Sequence, residues 1–428
     1  MRYLKSFLHG NGDNSFKHNF KWNTIAGLIN AAQSLLITMF ITRTMGLRYA
    51  GIYSLSYSVA SLSFSVGTFS VRNFQVTDIN DKYSFKMYCK MRKISVSFML
   101  LIVLLYCIWG WSRKSYSVEK IEIIFLVTFL KAIDAIEDLY DGFLQKEGRL
   151  DISGKIMAMR TMIVLLTVGV MINFTFDLVI SLFVASIVSV IVLWVSVVNV
   201  KDVFLIKNYP DNDFVVKDLI LECYPLFLSS FLALYISSAS KYAIDNLYTE
   251  ELQAIYGFIS MPIFVIALFT NFLYQPILIK LVEEWKHKKY FVFLKRIFLQ
   301  VFSIILVTIV IEVIAYFWGV QGLFILYGSD VSMYKTELLI ILLGSGFYAI
   351  AQFFFTVLII LRHQKGGLIC YLVGTVVAKF FSEYLVGRWV LYGAALFYLC
   401  IMIILTVLFG SVLGYQIYSC CKRNIKID

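Results

Sequence analysis

The stretch LVISLFVASIVSVIVLWVSVVN, residues 178–199, carries no charged residue and is long enough to cross a lipid bilayer as a single helix. A helix needs about 20 apolar residues to span a hydrocarbon core of ~30 Å. The apolar residues form a continuous run and do not alternate with polar ones, which excludes a β-barrel strand. In lipid, only helices and closed barrels satisfy their own backbone hydrogen bonds. The stretch is therefore predicted to be a transmembrane helix.

Similar runs recur along the whole chain of 428 residues, of which 60% are hydrophobic and only 15% are charged. Soluble domains carry about 25% charged residues. The runs are joined by short loops that leave no room for a soluble domain. The sequence predicts an all-α polytopic membrane protein with about twelve transmembrane helices, at 22–43, 50–71, 94–111, 120–143, 157–173, 178–199, 219–242, 253–276, 294–317, 336–361, 367–386 and 391–417.

The positive charges indicate how the chain is oriented. With the N-terminus inside, most Lys and Arg residues fall on the cytoplasmic side of the spans, and both termini are predicted to be cytoplasmic. This distribution explains the net charge of +11, so we expect no nucleic-acid partner. The longest polar stretch near the middle, residues 200–218, divides the spans six and six. The expected domains are two six-helix bundles, 1–208 and 209–428.

The fourth span contains an unusual set of ionisable residues: Lys131, Asp134, Glu137, Asp138 and Asp141. All except Glu137 fall within a sector of about 80° on a helix. Charges at membrane depth are costly and mark candidate functional sites. Lys131 is spaced to pair with Asp134 at i+3. The stripe either lines a wet cavity or forms a buried ion-pair cluster with basic residues of other helices.

Other candidate residues lie near the ends or the middle of further spans. Lys379 and Glu383 are spaced i to i+4 in the eleventh span and form either a pair on one helix or a cationic cavity lining. Arg43 and Lys241 end the first and seventh spans in corresponding places. They are candidates for the cavity or for interfacial anchors whose charged ends reach water.

Several classes of function lack their sequence signatures. No GxxxxGK[ST] loop for ATP is present, and the four histidines all lie in termini or loops. A membrane polysaccharide polymerase usually carries a long external loop, which the chain lacks. The remaining interpretation is transport of a solute, with no cofactor beyond a coupling ion.

Residues 23–85 resemble the Wzx-type O-antigen and capsular polysaccharide flippases of the multidrug/oligosaccharidyl-lipid/polysaccharide exporter superfamily. The first span ends in an Arg-containing turn with Gly46, and Ala50-Gly51-Ile52-Tyr53 opens the second span. An R-x-F-Q-x-x-D element closes that span, filled by Arg72, Phe74, Gln75 and Asp78. The plan of twelve spans extends the likeness over the chain.

The resemblance implies two bundles that form a V around a cationic cavity. It implies a substrate of undecaprenyl-pyrophosphate-linked oligosaccharide, flipped across the bacterial plasma membrane for O-antigen or capsule synthesis. Membrane lipids, the polysaccharide polymerase and the chain-length regulator are the other expected partners. Arg72, Lys131 and Lys379 would receive the pyrophosphate, next to Gln75. The acids depart from a purely cationic lining, so H⁺ or Na⁺ coupling through Asp134 or Asp138 is expected. The alternatives are a drug or small-cation antiporter of the same superfamily, a membrane polysaccharide polymerase, or an assembly scaffold.

Overall fold

The computed structural model describes residues 2–9, 16–77, 82–200 and 216–425, and in them every element of regular secondary structure is helical. The first half contains α1 (Arg2–His9), α2 (Phe16–Met45), α3 (Leu47–Thr68), α4 (Val71–Thr77), α5 (Phe85–Ser112), α6 (Val118–Lys146), α7 (Leu150–Thr175) and α8 (Leu178–Asn199). The second half contains α9 (Val216–Leu247), α10 (Glu250–Ser260), α11 (Ile263–Lys286), α12 (Tyr290–Ile314), a π-helical turn (Ala315–Gly319), α13 (Val320–Tyr327), a 3₁₀ turn (Ser332–Tyr334), α14 (Lys335–Ile360) and α15 (Gln364–Ile425).

These helices account for all twelve predicted spans. In the first half α2, α3, α5, α6, α7 and α8 each cover one span. In the second half α9, α10 with α11, α12 with α13, and α14 cover one span each. The last two spans are the arms of α15, whose backbone leaves the helical region at Trp389 and Val390. Helices long and apolar enough to cross a membrane occur in both halves, so the chain is a multi-pass membrane protein.

Short polar side chains mark the beginnings of several spans. Ser84 accepts a hydrogen bond from the Met87 amide at 3.3 Å, and Asp177 accepts one from the Ile180 amide at 3.0 Å. Each bond satisfies a backbone donor that has no partner within the helix. The chain turns into α3 at Gly46, whose φ of 90° is a left-handed conformation that glycine adopts without strain.

The chain divides into two units, Met1–Phe231 and Leu232–Asp428. The predicted boundary at 208/209 lies outside the described residues and stays a prediction. In the first unit α2 packs against α7, and a Cβ at Gly154 would approach the Trp22 carbonyl carbon to 2.7 Å. In the second unit α14 packs against α15, where the Phe355, Tyr371 and Phe409 rings contact one another.

The serine-rich helix α3 packs closely against α5 and α6. The hydroxyls of Ser56, Ser58 and Ser63 are buried and donate to carbonyls four residues earlier in the same helix, at 2.7–2.9 Å. Because these hydroxyls are satisfied within α3, they behave as small residues that let helices approach. These three serines therefore favour close packing of α3 against its neighbours.

Candidate functional site

The charged stripe of α6 lies inside the first unit, where α3, α5, α7 and α8 pack around α6. Glu137 and Asp141 are buried at 3% and 2% exposure. The side chains of Asp134 and Asp138 are each 16% exposed. Carboxylates this deep in a protein require a cation or hydrogen-bond donors nearby.

The upper part of the stripe is a network of two cations and two acids. The Lys131 Nζ donates to Asp134 Oδ2 at 2.8 Å, which confirms the predicted i+3 pair. A guanidinium NH2 of Arg160, on α7, donates to Asp134 Oδ1 at 2.6 Å. The same guanidinium forms an ion pair with Glu137, and its NH1 donates to Ser189 on α8 at 3.0 Å. Arg160 therefore ties three helices together.

The lower part of the stripe is held by arginines from α4 and α5. Arg92 donates to Asp138 Oδ2 at 2.8 Å and to the Gly67 carbonyl at 2.9 Å. Arg72 lies 3.3 Å from Asp138 Oδ1 and 3.7 Å from Asp141 Oδ2, and it also donates to Gln145. The acid-rich stripe is thus completed by basic residues on other helices.

Arg92 and Arg160 are the two site residues that sequence reasoning missed. They are 2% and 3% exposed and hold acids of α6. The signal that could have found them is the excess of acids on α6, which requires cations from neighbouring helices.

A small polar cavity adjoins the Lys131–Asp134 pair. It has a volume of about 20 Å³, and its polar lining consists of Gln33, Tyr53, Tyr57, Lys131, Asp134 and Arg160. That is room for about one water molecule. The Lys131 Nζ also lies 5.3 Å from the centroid of the Tyr57 ring. The cavity is therefore one place where this part of the charged network can meet a water molecule.

Gln75 and Arg43 are not part of this network. Gln75 is 1% exposed, and neither its amide oxygen nor its nitrogen has a hydrogen-bond partner among the described residues. Gln75 packs on Gly142 of α6, where a Cβ would come within 2.5 Å of its amide oxygen. Arg43 is exposed in the last turn of α2. The position of Arg43 is compatible with an interfacial anchor, and its place in a cavity stays a prediction.

The candidate residues of the second unit, Lys241, Lys379 and Glu383, are not joined in a network of ion pairs. Lys241 is half-buried on α9 and Lys379 is exposed on α15, and neither has an acidic partner in the described parts of the chain. The pair between Lys379 and Glu383 does not form; Glu383 instead accepts a hydrogen bond from Asn246 at 2.9 Å. The i+4 spacing allows that pair, but the amide on α9 takes the carboxylate. This unit therefore presents two lysines without counter-charges on membrane helices.

Outside the spans, a hydrogen bond of 2.5 Å to Glu222 raises the pKa of Lys82. Within the described residues, no group of three or more His, Cys, Asp or Glu side chains is arranged to hold a metal ion.

No family model matches the chain, and no curated protein sequence matches it. Several solved structures are similar to the chain. A Vibrio cholerae MATE transporter, VcmN in its bent form, is 14% identical with a TM-score of 0.64, over 98% of each chain. The inward-facing conformation of a multidrug resistance MATE family transporter of the MOP superfamily is 11% identical with a TM-score of 0.64, over 95% of this chain and 98% of that one.

A Pyrococcus furiosus MOP superfamily transporter, for which a reverse polarity of the binding pocket is described, is 12% identical with a TM-score of 0.54, over 97% of this chain and 98% of that one. At such identities the likeness shows the fold. The chain is an all-helical, multi-pass membrane protein with the fold of MATE transporters, which belong to the superfamily named by the sequence resemblance.

Proposed function

We propose that the chain is a flippase that moves undecaprenyl-pyrophosphate-linked oligosaccharides across the bacterial plasma membrane by alternating access. The fold is one that transporters use, and residues 23–85 resemble the flippases of that superfamily. Fold alone does not assign a substrate, so the assignment rests on the chemistry of the site.

The distribution of charge within the membrane helices carries the proposal. Every acid of the α6 stripe is already engaged by a lysine, an arginine or a hydroxyl of the same unit. Lys241 and Lys379, in contrast, have no acidic partner among the described residues. A cation without a counter-charge at membrane depth is costly unless it receives an anion. A pyrophosphate supplies that anion, with several acceptor oxygens.

A polar route is needed because of the head group. Moving a charged, hydroxyl-rich unit through hydrocarbon carries a large desolvation cost. A cation-lined path would replace the lost hydration, while the polyprenyl tail stays in the lipid. The H⁺ or Na⁺ that resets the cycle would act at the Asp134 cavity. The polymerase and the chain-length regulator would receive the product on the outer side of the membrane.

A second candidate is a drug or small-cation antiporter of the same fold. The observation in its favour is the cavity of about 20 Å³ beside Asp134, where a cation would compete with Lys131 and Arg160 for the carboxylate. One of the similar structures is that of a multidrug resistance MATE family transporter, which points the same way. An antiporter would depend on Asp134 and be insensitive to loss of the second unit's lysines.

Deletion of the gene with complementation tests the proposal. We expect loss of surface polysaccharide, with undecaprenyl-linked repeat units trapped on the cytoplasmic face. Wild type should restore the polymer, whereas Lys241→Ala and Lys379→Ala should fail despite normal membrane levels. Lys365→Ala is the matched control, because Lys365 is an exposed lysine near the beginning of α15.

Two outcomes would reject the flippase. Unchanged surface glycan in the deletion strain would show that the protein is not needed for surface polysaccharide synthesis. Repeat units already exposed on the outer face would show that polymerisation is blocked and that flipping is not. Full rescue by both lysine variants, with failure of Asp134→Asn, would favour the antiporter.

A further inference from the structure

The second unit contains a large apolar groove that the transport proposal does not use. Its volume is about 490 Å³, within the range of small-molecule sites. It is formed by the first half of α11, the end of α12, the π-helical turn, α13 and the beginning of α14. Typical lining residues are Phe269, Leu306, Val310, Trp318 and Leu342.

The π-helical turn shapes the groove. A single π turn widens a helix locally, and such turns are often found at functional positions. One turn further on, Gly322 lines the groove, and a Cβ built there meets no atom within 4 Å. At Gly319, in contrast, a Cβ would lie 3.0 Å from a Leu338 methyl. The absence of a side chain at Gly322 therefore leaves space that packing does not require.

The groove lies in the membrane, toward one leaflet. The stretch Tyr290–Tyr327 is strongly apolar, and its α12 side chains Leu306, Val310 and Ile314 are about half exposed. The groove is lined by the end of α12, by α13 and by the beginnings of α11 and α14. It therefore lies toward one end of these helices. Apolar side chains exposed along a membrane span contact lipid hydrocarbon.

A cation marks the end of the groove nearest the membrane surface. The Lys335 Nζ lies 3.8 Å from the centroid of the Tyr316 ring, and Lys335 begins α14 one turn before Leu338 of the groove wall. Tyr and Trp concentrate at membrane–water interfaces, and a lysine there attracts anionic head groups. Lys335 makes no salt bridge with any residue that the structure describes. An apolar groove next to an interfacial cation suits an anionic phospholipid, whose acyl chain is apolar and whose head group is negatively charged.

We propose that this groove binds one acyl chain of an anionic phospholipid from the adjacent leaflet, with the head-group phosphate at Lys335. The acyl chain lies between α12, α13 and α14 and fills the space that is left open because Gly322 has no side chain. This site is separate from the charged cluster of the first unit and does not depend on what the protein transports.

Photo-labelling of the full-length protein in nanodiscs tests the site. The probe is phosphatidylglycerol with a diazirine on one acyl chain, in a phosphatidylcholine bilayer, followed by peptide mapping. We expect the label to concentrate on residues 306–326. Gly322→Phe fills the groove, and losing the burial of about two methylene groups should reduce that label about tenfold. Gly322→Ala is the matched control and should keep most of it.

Further variants and a competing lipid test which molecule occupies the groove. Val310→Trp narrows the groove from an exposed position and should act like Gly322→Phe if that variant does not fold. Lys335→Ala should abolish the preference for phosphatidylglycerol over labelled phosphatidylcholine. Equal labelling of the wild type and both filled variants would overturn the proposal, as would label spread evenly over the exposed apolar face of α5. Displacement of the label by polyprenyl phosphate at low mole fraction would also overturn it, because the occupant would then be an isoprenoid.

Discussion

Replacing Arg160 by methionine would break the ion-pair network at the centre of the first unit. Arg160 is 3% exposed, and it pairs with Glu137 and Asp134 while donating to Ser189 at 3.0 Å. Methionine keeps much of the volume but removes the charge. Asp134 retains Lys131, whereas Glu137 loses the guanidinium that pairs with it and stays buried. Breaking one side of a buried pair costs about 3–5 kcal/mol.

The assay is thermal unfolding of the purified protein, followed by intrinsic fluorescence. For a unit of this size, the loss corresponds to a fall in Tm of roughly 10 °C. The double variant Arg160→Met with Glu137→Leu should recover most of it, because a buried pair replaced by apolar residues is often neutral. Arg48→Met is the control, since its contact with Glu119 is 3.7 Å long and half exposed. An exposed pair of this kind contributes about 0–1 kcal/mol.

Two results would refute the reasoning. If Arg160→Met melts at the wild-type temperature, the ion pairs of the guanidinium do not contribute to the stability of the unit. If the second substitution gives no recovery, the loss came from packing around residue 160 and not from the uncompensated Glu137.

Three further substitutions test the packing of the first unit. Gly154→Ala should destabilise by about 1–3 kcal/mol, because its Cβ meets the Trp22 backbone at 2.7 Å; an unchanged Tm would contradict the close α2–α7 contact. Gln75→Met should raise Tm, because the buried amide has no hydrogen-bond partner among the described residues. A lower Tm or lost transport would instead show that the amide binds something. Ser153→Ala removes a 2.6 Å bond to Asp141 and should cost about 1–3 kcal/mol; Ser303→Ala on α12 is the exposed control.

The positions of the spans were predictable because a single physical constraint governs them. A bilayer demands about 20 apolar residues per crossing, so uninterrupted runs such as 178–199 locate their helices to within a few residues. Even α6, with nine charged residues, was located correctly, since most of its other residues are apolar and four of the five charges in its middle share one face.

The partners of the charges were only partly predictable. The Lys131–Asp134 pair follows from helical periodicity, because both residues belong to one helix. The sequence does not say which helix packs beside α6, so Arg92 and Arg160 could not be matched to their acids. The same limit applies to Glu383, whose hydrogen bond comes from Asn246, 137 residues earlier. Periodicity describes neighbours along one helix, whereas the site is assembled from several.

The substrate is the central claim, and reconstitution tests it most directly. Purified protein would be placed in liposomes that contain an undecaprenyl-pyrophosphate-linked oligosaccharide, and an external glycosidase would report the fraction of sugar on the outer face. The proposal predicts cleavage beyond the half initially exposed, with Lys241→Ala and Lys379→Ala reduced to the level of empty liposomes and Lys365→Ala unaffected. Cleavage that stops at the exposed half in wild-type liposomes, together with uptake of an organic cation in the same liposomes, would contradict it and identify an antiporter.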